Sequence, residues 1–152
     1  MSRAQNLALR CYRFFLRARL SKDLKPKKMP LVAVVDDDIS VRESLESLIK
    51  SAGLEVRVFA SAEEFLRARH PREADCLILD LRLPGMSGIE LHRHLLACGR
   101  NVPAAFITAH ASDDRARSEA ASAWTIAYLT KPFSEDELLG AITAGLKWKP
   151  GP

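Results

Sequence analysis

The chain of 152 residues has no apolar run that approaches the roughly 18 residues that a membrane-spanning helix needs. Near the N-terminus, Arg10, Arg13 and Arg17 interrupt the apolar residues. A secretory signal peptide would carry an unbroken apolar stretch there, so the sequence argues against one.

Cysteine is scarce, and the three residues, Cys11, Cys76 and Cys98, are isolated from one another. They form no CxxC pair and no Cys/His spacing that is typical of a zinc site, and an odd number does not suggest a disulfide framework. The sequence therefore predicts a location in the reducing cytoplasm.

Acidic residues are scarce in the first part of the chain, but not in the rest of it. Residues 1–29 contain nine Lys and Arg and one acid, a net charge of +8, whereas residues 30–152 have a net charge of −4. The overall charge of +4 is thus weak evidence for nucleic-acid binding, and none is expected from the domain itself.

Two interpretations of residues 1–29 remain open. One is an extra stretch ahead of an ordinary start at Met29, which is either not native to the protein or disordered. The other is a basic amphipathic helix in which Leu7, Phe14 and Phe15 share one face, so that residues 1–28 contact an anionic surface. The globular domain is expected over residues 30–148, followed by a short tail at 149–152.

From residue 31 onward, short apolar runs alternate with segments of helical periodicity, five times in about 120 residues. The first, third and fourth runs are almost continuously apolar, which is typical of strands buried on both faces of a parallel sheet. We therefore predict a doubly wound (βα)5 sandwich with right-handed crossovers. The predicted strands cover residues 31–35, 54–59, 76–79, 102–107 and 126–129.

The sequence also indicates where helices begin. Asp38 is an expected N-cap, and two Ser/Glu pairs three residues apart, Ser61 with Glu64 and Ser134 with Glu137, predict capping boxes. The segment 113–123 offers only alanines for burial, so its helix should be loosely held.

Polar side chains stand where the apolar runs end. Asp36 and Asp37 follow the first run, Asp80 ends the third, Thr108 ends the fourth, and Lys131 follows the fifth. The carboxyl ends of parallel strands share one edge of the sheet, so these side chains should gather there. Clustered carboxylates suit Mg²⁺, and a carboxylate beside that ion can attack phosphorus while a lysine and a hydroxyl stabilise the charge. This combination indicates aspartyl-phosphate chemistry.

Four separated segments of the chain are VAVVDDD (32–38), LILDLRLPGMSGIEL (77–91), AFITAH (105–110) and YLTKPF (128–133). In this order they resemble the receiver domain of two-component response regulators, over roughly residues 31–146. The loop after Asp80 is similar to that of the nitrogen-fixation and nitrate-regulator branch. The resemblance implies a flavodoxin-like five-stranded parallel sheet of order 2-1-3-4-5 and a phosphoacceptor rather than a classical enzyme.

The resemblance also implies a role for each residue of the acidic site. Asp80 would accept the phosphoryl group. Asp37 would bind Mg²⁺ directly, Asp36 mainly through a metal-bound water, and the backbone carbonyl of Arg82 would be a further ligand. Mn²⁺ would suit the same oxygen ligands.

Further roles are implied around this site. Thr108 would turn its hydroxyl toward the phosphoryl group, and Lys131 would pair with the phosphoryl oxygens ahead of a cis peptide bond to Pro132. Tyr128 would be either an aromatic switch or a plain core residue. Arg82 and His110 would tune the lifetime of the phosphoryl group.

One departure from the family pattern concerns the turn before the fifth strand. Family members usually have glycine there, whereas this chain has Ala123, Trp124 and Thr125. Because tryptophan adopts a left-handed backbone only at a cost, this turn should differ and the preceding helix should be displaced or mobile.

The implied partners are a sensor histidine kinase or phosphotransfer protein and an unidentified downstream protein, and a homodimer is an open alternative. The chain could act as a single-domain regulator or be the receiver part of a longer DNA-binding transcriptional regulator. A third hypothesis, a haloacid-dehalogenase-type phosphatase with Asp36 as nucleophile, leaves Asp80 without a role.

Overall fold

The computed structural model describes residues 29–68, 73–110 and 114–149. The basic segment 1–28 and its predicted helix lie outside the described residues. Within the described ranges, no helix is long and apolar enough to cross a membrane. The strands are β1 (Leu31–Val35), β2 (Glu55–Phe59), β3 (Cys76–Asp80), β4 (Ala104–Thr108) and β5 (Thr125–Thr130); the helices are α1 (Ile39–Ser51), α2 (Ala62–Arg67), α3 (Gly88–Ala97), α4 (Asp114–Ala120) and α5 (Glu135–Leu146).

The strands form one parallel sheet in the order β2-β1-β3-β4-β5, which confirms the predicted fold class. Every residue of β1, β3 and β4 is buried, as their apolar runs predicted. The outer strands β2 and β5 are partly exposed. Two apolar layers, one on each face of the sheet, hold the helices in place.

The helix caps largely follow the sequence signals. Asp38 caps α1 by accepting from the Ser40 N–H at 2.8 Å, and Ser134 forms a complete capping box on α5. The predicted box on α2 is only half formed: Ser61 accepts from the Glu64 N–H, but the Glu64 carboxylate accepts from the Ala60 N–H. The carboxylate thus satisfies the backbone donor one residue earlier.

The turn before β5 contains no residue in the left-handed conformation, which is the conformation that would be costly for tryptophan. Among the described residues, none other than glycine has a positive φ. The Trp124 N–H instead donates to Ser122 Oγ, and Ile126 is an extra residue in β5, because Ala104 pairs with Thr125 and Ala105 with Ala127. A bulge in β5 thus accommodates this turn.

Helix α4 ends at Ala120, before the end of the segment 113–123 over which a helix was predicted, and it buries little, as its alanine-only apolar content predicted. It spans seven residues, and Ala120 is its only buried residue. The predicted displacement or mobility of this helix stays a prediction.

Candidate functional site

Three carboxylates converge where β1 and β3 end. Asp36, Asp37 and Asp80 each place one oxygen within 4.8 Å of the others, and we call them the acid cluster. Asp36 is fully buried and Asp80 is 8% exposed, whereas Asp37 is exposed. The predicted gathering of these residues at one sheet edge is therefore what the structure shows.

Backbone donors orient the two buried carboxylates. The Asp38 N–H donates to Asp36 Oδ1 and the Arg82 N–H donates to Asp80 Oδ1, both at 2.9 Å. Each carboxylate thereby has one oxygen held by its own loop. The guanidinium of Arg42 donates to the Asp36 carbonyl at 2.8 Å and ties α1 to the same edge.

Lys131 faces the second oxygen of each buried carboxylate. Its Nζ lies 3.4 Å from Asp36 Oδ2 and 3.7 Å from Asp80 Oδ2. The backbone N–H of Lys131 donates to the Thr108 carbonyl at 2.8 Å, and the Lys131–Pro132 peptide bond is cis. The lysine therefore enters the site from a well-defined backbone position.

The electrostatics of the acid cluster favour an added cation. Burial raises the pKa of Asp80 to about 6, and the charges of Asp36 and Asp37 act in the same direction. The Arg82 N–H and the Lys131 ammonium oppose this shift and do not cancel it. Oxygen ligands with excess negative charge fit a hard divalent ion such as Mg²⁺, so the donor set is suitable for that ion.

Thr108 lies at the site with its hydroxyl occupied. The side chain is buried, and its Oγ1 donates to the His110 carbonyl at 3.1 Å and accepts from the His110 N–H at 3.2 Å. The hydroxyl is therefore engaged by the loop after β4. The His110 side chain is exposed beyond it.

Comparison with known proteins agrees with this geometry. Residues 32–143 match the family model of the response regulator receiver domain. The chain belongs to this family. The match to the receiver family does not support the phosphatase hypothesis.

The receiver is similar to the response regulator protein TodT of Pseudomonas putida, with 43% identity over 120 residues, covering 79% of this chain and 52% of the relative. It is 39% identical over 121 residues to the transcriptional regulatory protein FixJ of Azorhizobium caulinodans, covering 80% and 56%. The solved structure of FixJ-N is 35% identical, has a TM-score of 0.70, and covers 81% of this chain and 98% of that one. The chain spans about half the length of the curated relatives it matches.

In this receiver, Tyr128 connects β5 to α4. Its hydroxyl donates to the Arg117 carbonyl at 2.8 Å, and the Arg117 guanidinium lies 5.6 Å from the centre of its ring. The same ring also stacks on Phe106. Burial raises the pKa of the tyrosine hydroxyl, which therefore stays a donor at neutral pH. Both interpretations of this residue are compatible with its position, since it is part of the core and also holds the helix.

Two residues near the acid cluster were missed by the sequence interpretation. A Cβ at Gly88 would overlap the backbone carbonyl of Asp80, so the start of α3 approaches the site more closely than any side chain permits. Glu63 accepts a hydrogen bond from the Met86 N–H at 2.7 Å, across 23 residues of sequence. The glycine stands in the segment 77–91 that resembles the receiver family, and no local pattern signals the glutamate.

Proposed function

We propose that the receiver accepts a phosphoryl group on Asp80 from the phosphohistidine of a sensor kinase or phosphotransfer protein. The single observation that carries this proposal is the position of Asp80. Its carboxylate ends a buried strand, with one oxygen fixed by the Arg82 N–H and the other near Lys131. The role is that of a signalling phosphoacceptor in the cytoplasm rather than a classical enzyme.

Each residue of the site has a separate role in the proposed phosphoryl transfer. A Mg²⁺ ion would be held by Asp36, Asp37, Asp80 and the Arg82 carbonyl, and would neutralise charge on the phosphoryl oxygens. The free Asp80 oxygen forms the new O–P bond while the P–N bond of the donor breaks, and the imidazole leaves with the electron pair. Lys131, already 3.7 Å from Asp80 Oδ2, is close enough to pair with the phosphoryl oxygens.

The proposed switch begins with Thr108. Its hydroxyl bonds to the His110 backbone, and the new phosphoryl dianion would compete for that hydroxyl. A shift of the loop after β4 would act on α4, which is joined to β5 by hydrogen bonds that include those of the Tyr128 and Thr125 hydroxyls to its backbone carbonyls. A two-state response of α4 and β5 would then change the surface offered to a downstream protein.

A groove beside Lys131 is suited to the phosphodonor protein. It has a volume of about 420 Å³ and lies between α1 and the loop from β5 to α5. At the start of α1, Ile39 is 61% exposed, which is unusual for a large apolar side chain. The lining residues include Val41, Leu45, Leu48, Pro132 and Phe133.

The role of the whole protein is a separate proposal. The matched region is only about half of the length of these relatives, and FixJ is named as a transcriptional regulatory protein. A single-domain regulator and the receiver part of a longer regulator, acting as monomer or homodimer, both use the same site. Size-exclusion chromatography before and after phosphorylation would separate the oligomeric alternatives.

Incubation with acetyl phosphate and Mg²⁺, followed by intact-mass spectrometry, tests the phosphoacceptor. We expect one phosphoryl adduct, absent without the metal ion and absent in Asp80→Asn. Asp38→Asn is the matched control, because Asp38 is a neighbouring carboxylate whose oxygen caps α1. An adduct that persists in Asp80→Asn, or no adduct in the wild-type protein, would contradict the proposal.

A further inference from the structure

The loop between β3 and α3, residues 81–87, carries the donor that orients Asp80. Its Arg82 N–H holds Asp80 Oδ1 at 2.9 Å, and its Leu81 N–H donates to the Ile107 carbonyl at 2.9 Å. The loop ends at Gly88, which lies against the Asp80 carbonyl. Movement of this loop would therefore disturb the carboxylate of Asp80.

Glu63 reaches this loop from the first turn of α2. Its Oε1 accepts from the Met86 N–H at 2.7 Å. Gly85 makes room for the carboxylate: a Cβ there would lie 2.6 Å from Glu63 Oε1, and the residue has a φ of +73° that suits glycine. The Met86 bond is the largest cause of a lowered Glu63 pKa, so the carboxylate is ionised at neutral pH.

We infer that Glu63 is a positioning residue of the Asp80 site. Its carboxylate holds the far end of the loop, and through the loop it keeps the Arg82 N–H on Asp80. The inference rests on the proposed phosphoacceptor function for its consequence, but the anchor itself is a feature of the metal-free protein. Groups that orient metal ligands commonly affect metal affinity by about ten-fold or more.

The neighbouring residue provides a matched control. Glu64 is a carboxylate of the same length in the same turn of α2, but its oxygen accepts from the Ala60 N–H at 2.8 Å rather than from the loop. Glu64→Ala therefore removes a similar charge and a similar hydrogen bond from the helix start. Glu63→Gln keeps an oxygen acceptor and should retain much of the anchor.

Two measurements on the full chain test the inference. Amide hydrogen exchange without metal should show faster exchange at residues 82–86 in Glu63→Ala, by roughly five-fold for the loss of one hydrogen bond, and no such change in Glu64→Ala. Calorimetric titration with Mg²⁺ should show affinity about ten-fold weaker in Glu63→Ala, largely restored in Glu63→Gln. Phosphorylation by acetyl phosphate should slow at limiting Mg²⁺ and recover at saturating Mg²⁺.

Equal exchange and equal Mg²⁺ affinity in Glu63→Ala and Glu64→Ala would overturn the inference. Faster exchange without a change in Mg²⁺ affinity would also overturn it, because the anchor would then not serve the site. If the wild-type protein bound Mg²⁺ but took up no phosphoryl group, the proposed function would fail while exchange and Mg²⁺ affinity still decided the role of Glu63.

Discussion

The acid cluster and the region around α4 lie on the same domain but are held by different kinds of contact. At the acid cluster, backbone hydrogen bonds continue the sheet past the strand ends; they join Asp36 N–H to Phe59, Leu81 N–H to Ile107 and Lys131 N–H to Thr108. Helix α4 buries one alanine, and side chains such as Tyr128 and Arg93 hydrogen-bond to its backbone. A region fixed by the sheet suits chemistry, and one held by a few side chains suits a switch.

Gly88→Ala should have the largest effect and should damage the acid-cluster side. A Cβ there would overlap the Asp80 carbonyl, and relief of this overlap would force α3 or β3 to move. We expect a loss of about 2–3 kcal/mol in the free energy of unfolding, measured with urea, together with weaker Mg²⁺ binding.

The matched control for this change is Gly140→Ala, a helical glycine of α5 whose added Cβ would meet nothing within 4 Å. Better helix propensity should stabilise that variant by about 0.5–1 kcal/mol. Similar unfolding free energies for the two variants would show that the backbone at Asp80 adjusts to an added Cβ, and so that the acid cluster is not the more rigid of the two regions.

Asp80→Asn should stabilise the metal-free protein at neutral pH. Burial raises the pKa of Asp80 from an ordinary 3.8 to about 6, so the folded chain binds this proton more tightly than the unfolded chain. The carboxyl's contribution to stability is therefore complete below about pH 4 and is lost as the pH rises through 6. At pH 7 in EDTA, we expect the variant to be more stable by about 2 kcal/mol.

Urea unfolding at pH 4 and pH 7, with and without Mg²⁺, measures this difference. The advantage of Asp80→Asn should nearly vanish at pH 4. It should also shrink when Mg²⁺ is added, because the ion stabilises the wild-type protein preferentially. If the unfolding free energies of Asp80→Asn and the wild-type protein differed equally at both pH values, burial would not destabilise the ionised carboxylate.

Sequence patterns predicted the acid cluster better than the region around α4. The reason is again that different kinds of contact hold the two regions. Buried parallel strands leave continuous apolar runs, and polar residues that end them must meet at one edge, so Asp36, Asp80 and Lys131 could be placed together. The extra residue in β5, the Glu63–Met86 bond and the contact of Thr108 with the His110 backbone depend on how distant or flexible segments meet. No local periodicity reports such contacts.

Tyr128→Phe tests how α4 is held. The change removes the 2.8 Å hydrogen bond to the Arg117 carbonyl and keeps the ring on Phe106. We expect about 1 kcal/mol of lost stability and faster amide exchange in α4, with little change in α1. High exchange protection across 113–123 in the wild-type protein would contradict the expectation that this helix is loosely held.

The smallest expected effect concerns His92, whose ring is joined to Tyr128 through the ring of Phe106. Its ring packs edge-on against Phe106, which stacks on Tyr128, and its Nε2 donates to the Val102 carbonyl at 3.0 Å. Burial lowers the pKa of His92 below its ordinary 6.5, so its neutral form is favoured in the folded protein. The stability that it contributes is present above pH 6.5 and is lost as the pH falls through the lower folded pKa.

His92→Gln keeps a side-chain N–H for Val102 and removes the titration. Between pH 7 and pH 5, the wild-type protein should lose stability relative to this variant, as measured by urea unfolding at the two pH values. Amide exchange should accelerate more in α4 than in α1 over the same range, because the protonated ring disturbs the stack under Tyr128. If α1 and α4 responded equally, the rings would couple the whole domain, and the contrast between a rigid acid cluster and an adjustable α4 would not hold at acidic pH.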